Sequence, residues 1–363
     1  MAKLAERKAA TGATVLHLEV GQPSSPAPAA VREAAARAIE HDPIGYTNAP
    51  GLPMLRRRIA EHSRDWYGVD IDSDRVLVVA GASAGFTLAF LACFDPGDRV
   101  GVIEPGYPCY RNTLDALGCV PVPIQVGPET RWAPTPELVA AAGPLRGLVL
   151  ASPSNPTGTV LGPDALAELV AYCRADGIRL ISDEIYHGIV FGEPAHSALE
   201  FDDDVIVINS FSKYFSMTGW RLGWVVAPPS MREPIERLQQ NLYICAPTVS
   251  QFGGIAAFDC TDELDGHVAR YAQNRSILLG GLAAAGLTDT AAADGAFYVY
   301  ADITHLHDDS MTLCRTWLDQ LGVATSPGVD FDLERGHHFV RFSYAGRGDD
   351  IAEACRRIAG WVP

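Results

Sequence analysis

The chain has 363 residues, of which 48% are hydrophobic, and a formal net charge of -16 at pH 7. This length suits one large domain with a smaller one, or two domains of ordinary size. The acidic charge argues against nucleic acid or an anionic membrane as a partner, because phosphate binding needs a basic surface. We therefore expect a small-molecule ligand.

The spacing of the cysteines and the length of the apolar runs indicate the cellular compartment. Eight cysteines are scattered without a C-x-x-C pair or a zinc-like spacing, so we predict neither disulfides nor a metal site. The first twenty residues contain no apolar signal core. No run reaches the ~20 apolar residues of a membrane span. These features predict a cytoplasmic protein with no membrane-spanning segment.

Short runs rich in β-branched residues alternate with helix-length segments from residue 76 onward. Seven runs are predicted strands: "VLVVA" (76–80), "RVGVIEP" (99–105), "VPVPIQV" (120–126), "GLVLASP" (147–153), "IRLISDE" (178–184), "VIVINS" (205–210) and "GWVVAP" (223–228). The alternation predicts an α/β fold, with a mostly parallel seven-stranded sheet flanked by helices. Functional residues are expected at the carboxyl ends of these strands, where such sheets bind ligands.

The pattern changes after Pro247. A long helical stretch (262–286) is followed by predicted strands at 296–303, 322–326 and 338–344. This order predicts a smaller α+β unit that closes over the sheet. In the last strand, alternation places Phe339, Arg341 and Ser343 on one face.

The turn after the first predicted strand, "GASAG" (81–85), is compatible with three functions. The amides of Ala82 and Ser83 can face an anion at a helix N-terminus. The turn also matches G-x-S-x-G, the nucleophile elbow of serine hydrolases, with Ser83 as nucleophile and Asp183 followed by His337 or His338 in the required order. A plain helix cap is the third possibility.

Further candidate side chains follow the other strands. They are Tyr107 after the second strand, Asn155 after the fourth, and Asp183, Glu184 and Tyr186 after the fifth. Each alone is also typical of an aromatic cover, a loop or a helix cap. Lys213 and Arg221 lie between the sixth and seventh strands, in a segment so apolar that a solvated ion pair explains them poorly.

Together these residue types match the requirements of pyridoxal phosphate. Lys213 can form an imine with the aldehyde of the cofactor. The phosphate dianion needs amides, hydroxyls and a guanidinium, and Ala82, Ser83, Ser210 and Arg221 supply them.

The remaining candidates suit the ring of the same cofactor. The pyridine nitrogen must stay protonated to withdraw electrons, and Asp183 supplies the carboxylate that this requires. Asn155 and Tyr186 can donate to the phenolic oxygen, and Tyr107 can stack on the ring face. The sequence therefore predicts one site for pyridoxal phosphate at the edge of the sheet.

A series of motifs follows in order over nearly the whole chain. They are "GQP" (21–23), "GYTNAPGLPMLRRRIA" (45–60), "GASAGF" (81–86), "DPGDRV" (95–100), "PGYPCY" (105–110), "SPSNPTG" (152–158), "SDEIY" (182–186), "SFSKYFSMTGWRLGW" (210–224), "GAFYVYAD" (295–302) and "VRFSYA" (340–345). In this combination the sequence resembles the class I/II aminotransferases, the aspartate aminotransferase superfamily of fold-type I pyridoxal-phosphate enzymes.

The resemblance implies an aminotransferase that moves an amino group between an L-amino acid and a 2-oxo acid. It implies catalytic roles for Lys213, Asp183 and Tyr107. It further implies Arg221 on the phosphate, Arg341 on the substrate α-carboxylate with Gly21 and Asn155 beside the substrate, and a homodimer in which Tyr46 reaches the phosphate of the neighbouring subunit. The implied domains are a large cofactor-binding domain (41–269) and a small domain formed by both chain ends (1–40 and 270–363).

Several alternatives stay open, because a fold does not determine a reaction. A pyridoxal-phosphate lyase, either a carbon–sulfur lyase or a relative of aminocyclopropane-carboxylate synthase, is the main one. A serine hydrolase that uses Ser83 is more distant. A ligand-sensing regulator would need a basic DNA-binding head before "GQP", and we expect none. A second substrate carboxylate would need another arginine, for which Arg111, Arg315 and Arg347 are equal candidates.

Overall fold

The computed structural model describes residues 1–362, and within them the chain forms twelve α-helices and twelve β-strands joined by turns and short 3₁₀ helices. The helices are α1 Ala2–Ala10, α2 Ala29–His41, α3 Pro53–Tyr67, α4 Ala82–Cys93, α5 Pro108–Ala116, α6 Pro136–Ala141, α7 Pro163–Ala175, α8 Pro229–Leu242, α9 Thr248–Ala257, α10 Thr261–Ala284, α11 Ser310–Leu321 and α12 Gly348–Ala359. None of them, over this described range, is both long and apolar enough to span a membrane.

The strands form three sheets. They are β1 Leu16–His17, β2 Val76–Val79, β3 Arg99–Glu104, β4 Val120–Gln125, β5 Gly147–Ala151, β6 Arg179–Asp183, β7 Ile206–Ser210, β8 Gly223–Val226, β9 Tyr298–Asp302, β10 Val323–Ala324, β11 Ser326–Pro327 and β12 Phe339–Ser343. The largest sheet has the order β2-β8-β7-β6-β5-β3-β4. It contains all seven strands predicted between residues 76 and 228, and it confirms the predicted α/β fold.

The direction of the strands determines where the candidate residues meet. Strands β3 to β7 pair in parallel, whereas β8 is antiparallel to both β7 and β2. The carboxyl end of β2 therefore lies at the same edge as those of β3 to β7. The amino end of β8 lies there too, which brings the residues just before β8 to the same edge.

The core explains why these runs form strands in a covered sheet. In β2, Val76 and Val78 belong to the apolar cluster on one face, while Leu77 and Val79 belong to the cluster on the other. All four are buried. A strand that is apolar on both faces is stable only when helices cover both sides, as they do in parallel α/β sheets.

Outside the central sheet, residues near the two chain ends meet. Strand β1 pairs in parallel with β10, and β12 pairs antiparallel with both β9 and β11. Helix α10 packs on α12 and runs through the predicted boundary at 269/270, and α2 packs on α9. The division into 41–269 and the two chain ends stays a prediction.

Candidate active site

A cavity of about 320 Å³ lies at the sheet edge where these strand ends meet. Nearly every site residue predicted from the sequence lines it: Gly21, Ala82, Ser83, Tyr107, Asn155, Asp183, Tyr186, Ser210, Lys213, Arg221 and Arg341. Tyr46 is the predicted site residue that does not line it. This residue is 82% exposed, on a loop outside the cavity.

Lys213 projects into this cavity from the loop after β7. Its Nζ donates a hydrogen bond to the carbonyl oxygen of Gly21 at 2.6 Å. Nζ also lies 5.5 Å from the centre of the Tyr186 ring. Burial, helped by the positive charge of Arg341, lowers the pKa of Lys213 to about 8. A larger share of the amine is therefore neutral and nucleophilic near neutral pH than for an ordinary lysine.

Asp183 is the last residue of β6 and is buried at the cavity. The Tyr110 hydroxyl donates a hydrogen bond to its Oδ2, and the amide of Ile185 donates to its Oδ1 at 3.1 Å. Burial raises the pKa of Asp183 to about 6, and both hydrogen bonds act in the opposite direction. Tyr110 was not predicted as a site residue, although it lies in the "PGYPCY" motif with Tyr107.

Glu184 is buried away from the cavity. Its Oε1 accepts hydrogen bonds from the hydroxyls of Ser182 and Ser197, both at 3.1 Å, and from the amide of Ala198 at 3.0 Å. Burial raises the pKa of Glu184 to about 8. Of the two adjacent acids, Asp183 alone lines the cavity.

The first turn of α4 and Arg221 form the anion-binding end of the cavity. Gly81 immediately precedes the helix, with φ +83. Because glycine has no side chain, it cannot cap the amides of the first turn. A Cβ atom on Gly81 would lie 2.5 Å from Nη2 of Arg221, so glycine lets the guanidinium approach the helix end. Free first-turn amides beside a guanidinium suit a phosphate dianion.

Two serines add hydroxyl groups at this end. Ser210 Oγ lies 2.9 Å from Ser212 Oγ, and both residues line the cavity. Ser212 was missed as a site residue, although it lies in the same "SFSK" segment as Ser210 and Lys213.

Arg341 forms the opposite end of the cavity. It is 7% exposed, and its Nη1 donates to Asn155 Oδ1 at 2.9 Å while Nη2 donates to the carbonyl oxygen of Glu19 at 2.7 Å. The guanidinium carbon lies 4.3 Å from the Tyr298 ring centre and 4.6 Å from that of Phe331. A guanidinium fixed in this way is suited to bind a carboxylate.

Three tyrosines complete the wall. The hydroxyls of Tyr186 and Tyr298 lie 2.7 Å apart. Tyr107 lies at the cavity with its side chain 37% exposed, and burial of the rest raises its pKa to about 12, which keeps the phenol protonated. Tyr298 was also missed, and its only sequence signal was its place in the "GAFYVYAD" motif.

These residues fit pyridoxal phosphate. A lysine with a lowered pKa, a buried carboxylate, uncapped helix amides beside a guanidinium, and a tyrosine ring line a single cavity. This donor set matches the aldehyde, the pyridine nitrogen, the phosphate and the flat ring of the cofactor.

Comparison with known proteins agrees with this chemistry. The family described as "Aminotransferase class I and II" matches residues 13–358. The chain belongs to the class I and II aminotransferase family. It is a pyridoxal-phosphate-dependent aminotransferase, as the resemblance predicted.

Individual relatives cover almost the whole chain. The valine–pyruvate aminotransferase of Mycobacterium tuberculosis is 50% identical over 364 residues, which cover 99% of this chain and 94% of that protein. The aspartate aminotransferase of Sulfurisphaera tokodaii is 33% identical over 366 residues, with 97% and 90% covered. A crystal structure of an aminotransferase from Mycobacterium tuberculosis has a TM-score of 0.97 at 48% identity, with 99% and 94% covered. All three are named aminotransferases, and none is named a lyase.

The hydrolase alternative is wrong for this aminotransferase. His337 and His338 lie in a 3₁₀ turn, and neither lines the cavity that contains Ser83. Asp183 is hydrogen-bonded to Tyr110 rather than to a histidine. Ser83 itself lies inside the first turn of α4.

The candidates for a second substrate arginine are all outside the cavity of this aminotransferase. Arg111 Nη1 pairs with Glu104 Oε1 at 2.6 Å, and neither Arg315 nor Arg347 lines the cavity. In residues 1–362, no three or more histidine, cysteine, aspartate or glutamate side chains are grouped so that they could hold a metal ion.

Proposed function

We propose that this aminotransferase transfers the amino group of a small neutral L-amino acid to a 2-oxo acid such as pyruvate. The strongest support is the set of cations at the cavity. Over residues 1–362 these are Lys213, Arg221 and Arg341, and each has a task in the reaction. No cation of the same chain is left for a second carboxylate. The name of the valine–pyruvate relative points to the same class of substrate.

The residue roles follow from the chemistry of the two half-reactions. When bound, pyridoxal phosphate accepts the amino group and delocalises the electrons left at the substrate α carbon. Lys213 Nζ removes the proton from that carbon, a role helped by its lowered pKa. Arg341 binds the substrate α-carboxylate and so orients the α carbon toward Lys213. Asp183 stabilises the positive charge on the pyridine nitrogen.

Other residues bind the cofactor without moving protons. The first-turn amides of Ala82 and Ser83, with Arg221 and the Ser210 hydroxyl, bind the phosphate. Asn155 and Tyr186 donate hydrogen bonds to the phenolic oxygen, and Tyr107 covers the ring face. Gly21 lies beside the substrate, since its carbonyl oxygen accepts from Lys213.

A screen of amino donors tests the substrate proposal. Purified holoenzyme is given valine, alanine, leucine, aspartate or glutamate with pyruvate or 2-oxoglutarate, and kcat/KM is measured for each pair. We expect valine and alanine to exceed aspartate by at least about tenfold, because the cavity-lining cations of this chain, over residues 1–362, all have other tasks and leave none for a second carboxylate. A preference for aspartate would refute the neutral-substrate proposal while leaving the aminotransferase activity itself intact.

We also propose that the enzyme is a cytoplasmic homodimer with shared active sites. Tyr46 lies on an exposed loop that Thr248 holds through a 2.7 Å hydrogen bond from its hydroxyl to the carbonyl oxygen of Gly45. The segment just before Thr248 exposes three large apolar side chains, at 53%, 37% and 47%: Leu242, Tyr243 and Ile244. Exposed apolar side chains next to one another are typical of an interface with another protein.

A further inference from the structure

The side chain of Tyr298 contacts both the proposed cofactor-binding tyrosine and the proposed substrate-binding arginine. Its hydroxyl meets that of Tyr186, and its ring faces Arg341. We infer that Tyr298 is a positioning residue that directs the Tyr186 hydroxyl at the cofactor and holds the Arg341 guanidinium in place for the substrate. This inference rests on the roles proposed above for Tyr186 and Arg341.

The hydroxyl pair determines which way Tyr186 points. The two oxygens are 2.7 Å apart, and both side chains are buried. Each phenol carries a single proton, so only one of the two can donate within the pair. Tyr186 must use its proton for the phenolic oxygen of the cofactor, which leaves Tyr298 as the donor within the pair. Burial raises the pKa of both phenols, so both protons are retained at neutral pH.

The ring of Tyr298 acts on Arg341. The guanidinium carbon lies 4.3 Å from the centre of this ring and 4.6 Å from that of Phe331, so both rings pack against it. Asn155, the Glu19 carbonyl oxygen and the Ser326 hydroxyl accept hydrogen bonds from this guanidinium and restrict its orientation further. The donors of Arg341 that make none of these bonds remain for a substrate carboxylate, and the ring of Tyr298 helps to hold them in place.

Strand pairing and close packing make Tyr298 rigid. Tyr298 in β9 is opposite Ser343 in β12, the strand that also carries Arg341. A Cβ atom on Gly21 would collide with the Tyr298 hydroxyl, so glycine at position 21 is what permits this approach. The same glycine accepts the hydrogen bond from Lys213. Tyr298 therefore contacts the backbone to which Lys213 bonds.

Three variants of the holoenzyme test the inference. Tyr298→Phe removes the hydroxyl and keeps the ring, whereas Tyr298→Leu removes both. Tyr300→Phe is the matched control: Tyr300 lies in the same strand and is equally buried, but its hydroxyl has no hydrogen-bond partner within residues 1–362 and does not line the cavity. The two readouts are the pH midpoint of the visible absorption band and the Kd of 3-methylbutanoate, an unreactive monocarboxylate.

The hydroxyl and the ring of Tyr298 should affect different readouts. A donor to the phenolic oxygen stabilises its deprotonated form, so Tyr298→Phe should move the absorption midpoint upward by about half a unit to one unit. The same variant should bind 3-methylbutanoate with a Kd within about twofold of the wild-type value. Tyr298→Leu should in addition weaken 3-methylbutanoate about tenfold. Tyr300→Phe should change neither readout.

Tyr186→Phe and Arg341→Lys distinguish failure of the inference from failure of the proposed roles. If Tyr186→Phe shifts the midpoint and Tyr298→Phe does not, the hydroxyl part of the inference is wrong. If Arg341→Lys weakens the probe and Tyr298→Leu does not, the ring part is wrong. If Tyr186→Phe and Arg341→Lys are themselves without effect, their proposed roles are wrong and the inference is overturned with them. Tyr298→Phe retains the ring volume, so it tests the hydroxyl even when Tyr298→Leu does not fold.

Discussion

At the scale of single residues, the chain offers few alternatives to Lys213. Its only other lysines, Lys3 and Lys8, lie in α1. Lys8 Nζ bonds the carbonyl oxygen of Asp319 at 3.0 Å on the surface, while Lys213 faces the cavity with a lowered pKa. Burial of an amine between aromatic rings and cations costs folding free energy. Such a residue is often part of a functional site, and an imine with the cofactor is the use that this site indicates.

Reduction of the holoenzyme with borohydride should attach the pyridoxyl group to Lys213. Peptide mapping by mass spectrometry then has three possible sites, of which two lie in one N-terminal peptide region. We expect the label on Lys213 and none in the Lys213→Ala variant, which serves as the control. Label on Lys3 or Lys8 would contradict the assignment.

At the scale of elements, Glu184 connects the end of β6 to the 3₁₀ helix Ala198–Glu200 through its hydrogen bonds with Ser197 and Ala198. Its neighbour His187 lies 3.7 Å away, but burial lowers the pKa of that imidazole to about 3. Burial raises the pKa of Glu184 to about 8. These shifts favour the neutral forms of both side chains near pH 7, so Glu184 joins these elements through its hydrogen bonds rather than through an ion pair with His187.

Glu184→Gln should change how stability depends on pH. The folded-state pKa of Glu184, about 8, lies above the ordinary value of 4.5, so between these values the folded protein holds a proton that the unfolded chain loses. Wild-type stability then falls as pH rises, by up to about 1.4 kcal/mol per unit for one proton. Glutamine keeps the acceptor oxygen and does not titrate. Unfolding by denaturant at pH 5 and pH 8 should show the variant gaining on wild type with rising pH.

A constant difference between Glu184→Gln and wild type at the two pH values would contradict a raised pKa. Glu184→Ala is the comparison variant. It leaves the amide of Ala198 and two hydroxyls without their acceptor, so it should be destabilising at both pH values.

The turn between β2 and α4 depends on Gly81 for two reasons. Its φ of +83 is disfavoured for residues with a side chain, and a Cβ atom would meet the Arg221 guanidinium. Gly81→Ala should therefore displace Arg221 and weaken cofactor binding by about tenfold or more. The dissociation constant of pyridoxal phosphate, measured by titration of the apoenzyme, checks this. Gly97→Ala is the matched control, because Gly97 has a similar φ of +92 and nothing within 4 Å of the added atom.

The Gly97→Ala variant separates strain from contact with Arg221. Equal weakening of cofactor binding in both variants would mean that backbone strain alone causes the effect. Weakening in Gly81→Ala alone supports the contact between the turn and Arg221. Retention of full affinity in Gly81→Ala would contradict the phosphate role of this turn.

At the scale of the whole molecule, Tyr46 is the predicted site residue whose role depends on the proposed dimer. Its side chain is exposed and outside the cavity that contains Lys213. In the proposed dimer this exposure is explained, because Tyr46 of one subunit completes the site of the other. A closed two-fold pair makes such sharing reciprocal.

Hybrid dimers test the shared site. Lys213→Ala and Tyr46→Ala chains are unfolded together in equal amounts and reassembled, so that about half of the dimers are hybrids. If the residues act across the interface, each hybrid has one intact site of two, and activity should approach about a quarter of wild type. A mixture of Lys213→Ala with Asp183→Asn is the control, since both residues line the cavity of one chain. Activity no higher than the mean of the separate variants would refute sharing.

The sequence by itself determined the central sheet and most of the cavity wall. All seven predicted strands are present because their apolar runs are local signals of burial on both faces. Residues such as Asp183 and Lys213 were found because the polarity of a parallel sheet brings the carboxyl ends of its strands to one edge. Strand periodicity and strand direction are properties of short segments, so they can be recognised without knowledge of the rest of the chain.

The tertiary structure alone decided which distant groups contact each other. Arg341 meets Asn155 and the carbonyl oxygen of Glu19, Tyr110 meets Asp183, and Tyr298 meets Tyr186. A strand pattern gives no sign that Arg341 is buried, because alternation identifies a face but not what covers it. The partners are far apart along the chain. Arg341 meets Asn155 and Tyr298 meets Tyr186 only because the three-stranded sheet packs near the edge of the large one, whereas Tyr110 of α5 meets Asp183 of β6 beside the large sheet itself. Such contacts depend on packing between elements, for which a short segment of sequence carries no signal.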